Sequence, residues 1–208
     1  MKTFSAIAMV AACMLVAGPS ASASSCPSTN VQVTGLSQGA MEGSIGCLIN
    51  EERAAYGLQP VQPNGSLRQA ALTHSNEMVE HGYFEHTSPA GLTFVDRIVA
   101  TGYTRGARRW DVGENLVWGT GPLSTPRSLV NSWMNSPPHR ANLLRAKFRE
   151  IGIAAVVGTP VSRLALTGVT VSSEYGYRSL GKKQKRGKRK RGKRKSRKAR
   201  PHKYNRRA

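Results

Sequence analysis

The chain has 208 residues, with 31 Lys or Arg against 11 Asp or Glu and a formal net charge of +20. The excess is uneven: residues 182–208 hold 17 Lys or Arg and no acid, whereas residues 24–181 hold 13 Lys or Arg and all 11 acids. This excludes a basic folded domain as the source of the charge, and leaves roughly 140–150 residues, enough for one compact core.

In chain order, Met1-Lys2 precedes a mostly apolar run, residues 4–16, too short to span a bilayer as a stable helix. Ala21-Ser22-Ala23 follows, and the whole reads as a secretory signal peptide cut after Ala23. The alternatives are an N-terminal membrane anchor or a lipid attached at Cys13. Cleavage leaves Cys26 and Cys47, and two cysteines in an exported chain read as one disulfide. It would close a loop of about 20 residues, stabilise the fold by roughly 3 kcal/mol, and pin a weak N-terminal segment to the first helix.

Residues 24–39 are polar and aperiodic, a strap or loop. Ile45, Leu48, Ile49, Glu52 and Ala55 follow helical spacing up to Gly57, a natural stop. Asn64-Gly65-Ser66 forms a turn and cap. Leu67, Ala70, Ala71, His74 and Met78 then line one face of a second helix ending at His81-Gly82. Residues 84–91 read as a loop, 94–100 as a short helix and 110–121 as a Gly-rich connection. Thr125-Pro126 caps a helix carrying Leu129, Val130, Trp133 and Met134, which Pro137-Pro138 breaks before a short turn over 139–144. Residues 151–157 and 164–173 are β-rich and read as two strands. Helices first and strands late predict α+β layers rather than a parallel βαβ sheet. Residues 182–208 repeat Gly-Lys-Arg-Lys at a spacing of five and hold nothing to bury, so disorder is expected there. The expected organisation is a signal peptide over 1–23, a strap over 24–43, the domain over 44–178 and a tail over 179–208.

Three ionisable residues stand out, His86, Glu114 and His139, each beside Gly, Ser or Pro and each assigned to a loop. Two imidazoles and a carboxylate suit a divalent cation such as zinc with positions left for water, and suit general acid–base work equally. Their gaps match no compact metal motif. His74, on a helix face, reads as a satisfied core histidine. Asn115 is expected to bond loop carbonyls. Trp110, Trp118 and Trp133 are assigned to core and cleft wall. Ser88 and Ser136 lie in no nucleophile elbow.

The run Cys47-Leu48-Ile49-Asn50-Glu51-Glu52-Arg53 with Gly57-Leu58 resembles the first helix of bacterial CAP-domain (cysteine-rich secretory, antigen 5, pathogenesis-related) proteins. So do His74-Ser75, Met78, Phe84-Glu85-His86-Thr87-Ser88-Pro89, Asp96-Arg97, Gly102-Tyr103 and Gly113-Glu114-Asn115-Leu116. The likeness continues through Trp133-Met134-Asn135-Ser136-Pro137-Pro138-His139-Arg140-Ala141-Asn142-Leu143-Leu144 and Phe148-Arg149-Glu150-Ile151-Gly152-Ile153. It implies a three-layer α-β-α sandwich around a mixed or antiparallel sheet. It also implies a cleft in which His86, Glu114 and His139 match three of the four residues of a two-His, two-Glu set found in eukaryotic members. Ser136 stands where the remaining Glu would fall, as in the bacterial branch. Lipid or sterol binding, metal binding, wall or host-surface interaction and proteolysis are the activities the resemblance suggests.

Three functions follow as expectations. The first is a secreted, monomeric binding module that takes a lipid or small ligand in its cleft. Its tail would hold it to anionic polymers: wall polymers, acidic glycans, anionic lipids or extracellular DNA. The second is a metal-assisted hydrolase using His86, Glu114 and His139. The third is an extracellular nucleic-acid binder, with base stacking on the tail disfavoured because Tyr204 is its one aromatic.

Overall fold

The structure, a computed structural model, describes residues 26–162 and 164–181. The expected signal peptide and the basic tail from Lys182 onward lie outside the described residues. Helix α1 spans Gln38–Ala55 and α2 spans Gly65–His81, separated by the two-residue strand β1, Gln62–Pro63. Helix α3, Phe94–Ala100, precedes strand β2, Ala107–Thr120. Helices α4, Pro126–Met134, and α5, Pro137–Leu143, lead to strands β3, Glu150–Val157, and β4, Gly168–Leu180.

The helix signals of the sequence map onto real caps. The Ser37 hydroxyl accepts from Ala40 N, starting α1 within the segment expected to be a strap. Asn64 Oδ1 accepts from Ser66 N and Leu67 N at the start of α2, and Gly82 ends that helix at φ 70°, a left-handed position that suits glycine. Thr93 and Asp96 close a reciprocal capping box on α3. The Thr125 hydroxyl accepts from Ser128 N, with Pro126 at the first position of α4.

The sheet order is β1-β3-β4-β2, with β1 parallel to β3 and the other pairs antiparallel. Odd residues of β3 and β4, among them Ile151, Ile153, Val169, Val171 and Tyr175, join the main core with Ile45, Leu48 and Ile49 of α1 and Leu129, Val130 and Trp133 of α4. Even residues face α2: Ser172 Oγ bonds Ser75 Oγ at 2.8 Å, and Gly152 sits so close to Leu67 and Arg68 that a Cβ there would clash at 2.0 Å. Leu67, Ala70, Ile98, Tyr103 and Val112 form a smaller core on that side. The α+β single domain is therefore layered helix, sheet, helix. The Cys26–Cys47 bridge is present with Cα atoms 5.6 Å apart, tying the N-terminal segment to α1.

Two expectations need correction. Residues 110–121 are not a connection: all but Gly121 form the body of β2, the longest strand among the described residues. Glycines and polar residues disguise it, but in the fold its polar groups are met from neighbouring layers. Trp133 Nε1 donates to Leu116 O at 3.0 Å and Asn142 Nδ2 donates to Glu114 O at 3.1 Å, covering alternate carbonyls on the outer edge of the strand. The last strand is also displaced. Residues 164–167 belong to the preceding turn, and β4 continues past Ser173 to Leu180.

Candidate functional site

Glu114 stands mid-strand on β2, opposite Glu174 on β4. Gly158 N bonds Gly168 O, which sets the even residues of β4 toward β3. Glu114 and Glu174 thus form a non-hydrogen-bonded pair, the register in which side chains stand closest. The Glu114 side chain is fully buried, and both its oxygens are engaged. Oε1 meets His86 Nδ1 at 2.7 Å and Oε2 accepts from Arg97 Nη2 at 2.6 Å. Arg97, 3% exposed, also donates to Leu92 O and His86 O at 3.0 and 3.1 Å, so one guanidinium fastens the 86–92 loop to the strand.

Asn115, the next residue on β2, turns to the other face of the sheet. Its Nδ2 donates to His139 O at 2.9 Å, and Asn142 Nδ2 donates to Asn115 Oδ1 at 3.1 Å. Asn115 thus bonds a carbonyl as expected, but one in the first turn of α5 rather than in a loop. The C-terminal end of α5 and the segment after it are held by Arg53, fully buried on α1, which donates to the carbonyls of Leu143, Arg145 and Phe148 as well as Gln59. His139 sits in the first turn of α5, its Nδ1 bonded to Ser136 Oγ at 2.8 Å. His86 alone of the three candidates lies in a loop.

From one face of β2 Glu114 holds the His86 imidazole, and from the other Asn115 holds the backbone carbonyl of His139. Each imidazole has Nδ1 committed, His86 to Glu114 and His139 to Ser136, which leaves Nε2 as the atom each can offer. The hydrogen bond that His86 donates to Glu114 raises the His86 pKa above its usual 6.5, although partial burial opposes it. Burial, and then the His86 charge, lower that of His139. Between the two values His86 is cationic and His139 neutral. We expect proton NMR titration of the imidazole Cε1–H signals to place His86 above and His139 below 6.5, and Glu114→Gln to bring His86 down. Coincident titrations would mean that Glu114 does not govern His86.

For a divalent cation these donors fit in part. His86 Nε2 and His139 Nε2 could hold it, and the Glu114–His86 bond is the carboxylate–imidazole support that commonly orients a metal-binding histidine. Glu114 itself is spent on His86 and Arg97, so it acts behind the histidine. Among the described residues the one trio with donor atoms all within 4.8 Å is Cys26, Cys47 and Glu51, whose sulfurs form the disulfide. His74 is a core residue as expected, fully buried with Nε2 on Glu85 O at 2.9 Å and Nδ1 on the Tyr83 hydroxyl at 3.3 Å. Trp133 is core, whereas Trp110 and Trp118 are 41% and 38% exposed and so belong to the surface.

Glu174 was missed because the expected strand stopped one residue before it. Arg97 was quoted only as part of a motif. Glu174 is fully buried and neither of its oxygens reaches hydrogen-bonding geometry. Burial, reinforced by the Glu114 charge, raises its carboxyl well above the usual range and so favours the protonated form. For Glu114, burial pushes the same way, but the bond from His86, the neighbouring Glu174 and the Arg97 charge outweigh it and hold that carboxyl low. The unfolded chain releases the Glu174 proton near pH 4.5 and the folded chain far higher, so its contribution is full at low pH and is lost as pH rises. Glu174→Gln keeps the shape without the proton. Its melting temperature should gain on that of the native chain as pH rises above about 4.5; a constant gap would show that the Glu174 carboxyl is not raised.

The comparisons with known proteins agree with this architecture. YkwD of Bacillus subtilis (strain 168), an uncharacterized protein, is 34% identical over 117 residues, 56% of this chain and 43% of its own length. YlbC of the same organism, an uncharacterized membrane protein, is 29% identical over 108 residues, 51% of this chain and 29% of its own length. The chain thus spans less than half of either relative. Among solved structures, an outer surface protein from Borrelia burgdorferi superposes with a TM-score of 0.53 at 22% identity, covering 65% of this chain and 90% of that one. An extracellular SCP-domain protein from Bacillus anthracis str. Ames gives 0.51 at 23%, covering 67% and 43%. At these identities the two structures speak to the fold. The model of the cysteine-rich secretory protein family, CAP, matches residues 48–172, more than half of the chain, and the chain belongs to that family.

Proposed function

We propose that this chain is an exported CAP binding module of the cell envelope. The cleft between His86 and His139 takes the ligand, and the basic tail holds the module to anionic polymers. The observation that carries the reading is the state of Glu114. A carboxylate sealed between Arg97 and His86, with no exposure of its own, is built to orient an imidazole rather than to meet a substrate. Export is supported by the expected signal peptide and by the disulfide. Among the described residues no helix is long and apolar enough to cross a membrane.

One observation favours the hydrolase reading. The two imidazoles have pKa values displaced in opposite directions, which is how an acid and a base are poised together. A bound divalent ion would add Lewis-acid polarisation there. Incubation of the mature protein with isolated wall polymer and with peptide substrates separates the two. Retention of the protein on the polymer without release of soluble fragments is expected. Fragment release that disappears in His86→Ala would overturn the binding reading in favour of hydrolysis.

A further inference from the structure

A second groove, of about 470 Å³, lies at the opposite edge of the sheet, between α1, β1, the start of α2 and β3. It has the size of a small-ligand site, and neither His86, Glu114 nor His139 lines it. Its floor is an open strand edge. Strand β1 pairs only with Glu150 and Ile151, so β3 has no strand neighbour beyond them on that side. The ladder determines which backbone groups face out. Asn64 N donates to Ile151 O at 2.7 Å, and Ala155 N donates to Glu42 Oε1 at 3.3 Å. Backbone groups alternate between the two edges of an antiparallel strand, so Ile151, Ile153 and Ala155 share the outer edge. The first and last are met by Asn64 and Glu42. Ile153, between them, turns its N–H and C=O into the groove, and among the described residues no hydrogen bond from α1, β1 or α2 reaches them.

The wall opposite is formed by Gly39, Gly43 and Gly46 of α1. All three have helical backbone with negative φ. A Cβ at Gly39 or Gly43 would meet nothing within 4 Å, and one at Gly46 would meet only Ile153 Cδ1 at 3.5 Å. Neither conformation nor packing within the chain calls for glycine, and each one weakens the helix relative to alanine. Their effect is to keep the groove open down to the β3 edge. Val61, Ile151 and Ile153 supply apolar walls. The charge at the rim cancels internally, Glu42 and Arg68 forming a two-bond ion pair at 2.7 and 3.0 Å.

We infer that this groove binds a short extended peptide, one residue of which exchanges both backbone hydrogen bonds with Ile153 while small uncharged side chains lie against the glycine wall. This is strand addition at a sheet edge, in which main-chain bonds give the affinity and shallow pockets select the side chains. An acyl chain would fill the apolar space but leave the N–H and C=O of Ile153 covered and unpaired, which disfavours it. The inference stands apart from the function proposed for the histidine cleft.

The test is titration of the ¹⁵N-labelled mature chain with acetyl-Ala-Val-Ala-amide. The expected result is a saturable shift of the Gly43, Gly46 and Ile153 amides with Kd of about 1 mM, and loss of roughly tenfold in affinity when the central amide of the peptide is N-methylated. Gly43→Leu should abolish the shifts by filling the groove. If that variant folds poorly, Gly43→Ala and Gly46→Ala, both of which suit a helix, should each weaken binding. Equal binding of the N-methylated peptide, shifts at His86 and His139 instead, unchanged binding by the glycine variants, or shifts produced by octanoate and not by the peptide would each overturn the inference.

Discussion

Replacing Arg97 by Met is expected to cost the fold about 3–5 kcal/mol, the range for breaking a buried ion pair on one side only. The guanidinium is 3% exposed and the Glu114 side chain fully buried, so solvent cannot take over when one partner goes. Three contacts disappear together: the bond to Glu114 and the two to Leu92 O and His86 O that hold the loop against β2. Glu114 would then face the Glu174 carboxyl with only His86 to balance it, and would take up a proton, so the penalty should shrink in acid. The double change Arg97→Met with Glu114→Leu should be less destabilising than Arg97→Met alone, because no charge is left buried. Chemical denaturation of the three proteins at neutral and acid pH checks this. A single variant within about 1 kcal/mol of the native chain would mean that the pair is as weak as a surface contact.

This arrangement was legible in the sequence only in pieces, for reasons that lie in particular residues. Leu67, Ala70, Ala71, His74 and Met78 form a stripe because α2 buries one face against the sheet, and periodicity reports burial directly. The cysteine pairing was readable because the expected cleavage after Ala23 would leave two cysteines and one combination. Strand β2 was not readable, since Gly113, Glu114, Asn115 and Gly119 are poor strand residues by composition. Their suitability arises only when Arg97, Asn142 and Trp133 arrive from elements 17–28 positions away to satisfy them. The same holds for Glu174. Ser172-Ser173-Glu174 looks like the end of a strand, yet Ser172 bonds Ser75 and Glu174 faces Glu114, so a polar sequence forms a buried layer. The start of α1 was hidden by the three groove glycines, which lower its helix signal while Ser37 caps it. His86 and His139 stood out as ionisable groups where helix signals fail, and the family likeness grouped them, but their division into one raised and one lowered imidazole depends on Glu114 and burial, which no spacing reveals.

A chain ended after Leu180 is expected to lose its hold on anionic polymers while keeping its melting temperature within a degree or two. Residues 182–208 carry 17 of the 31 Lys and Arg, whereas residues 24–181 are close to neutral at 13 cations against 11 acids. Each cation that replaces a condensed counterion steepens the salt dependence, and a protein making roughly 6–10 phosphate contacts loses about 10³–10⁵ in affinity between 50 and 200 mM salt. The full mature chain should therefore bind wall polymer, heparin or DNA tightly at low salt and release them as salt rises, with a slope that vanishes on truncation. Part of the folded domain's own charge is already spent: Arg178 on Glu150, Arg68 on Glu42, and Arg145 with Lys147 on Asp111. The cut leaves the sheet whole, because β4 ends at Leu180 where it pairs with Ala107. Equal binding by the truncated chain would move the contact onto the folded surface, where Arg105, Arg108 and Arg109 stand exposed near the end of β4. A drop of several degrees would mean that residues beyond Leu180 pack on the domain, and the tail would then have to be treated as part of the fold. Stronger retention on wall polymer than on DNA at matched charge density and salt would place the module at the envelope; the reverse order would favour the nucleic-acid reading.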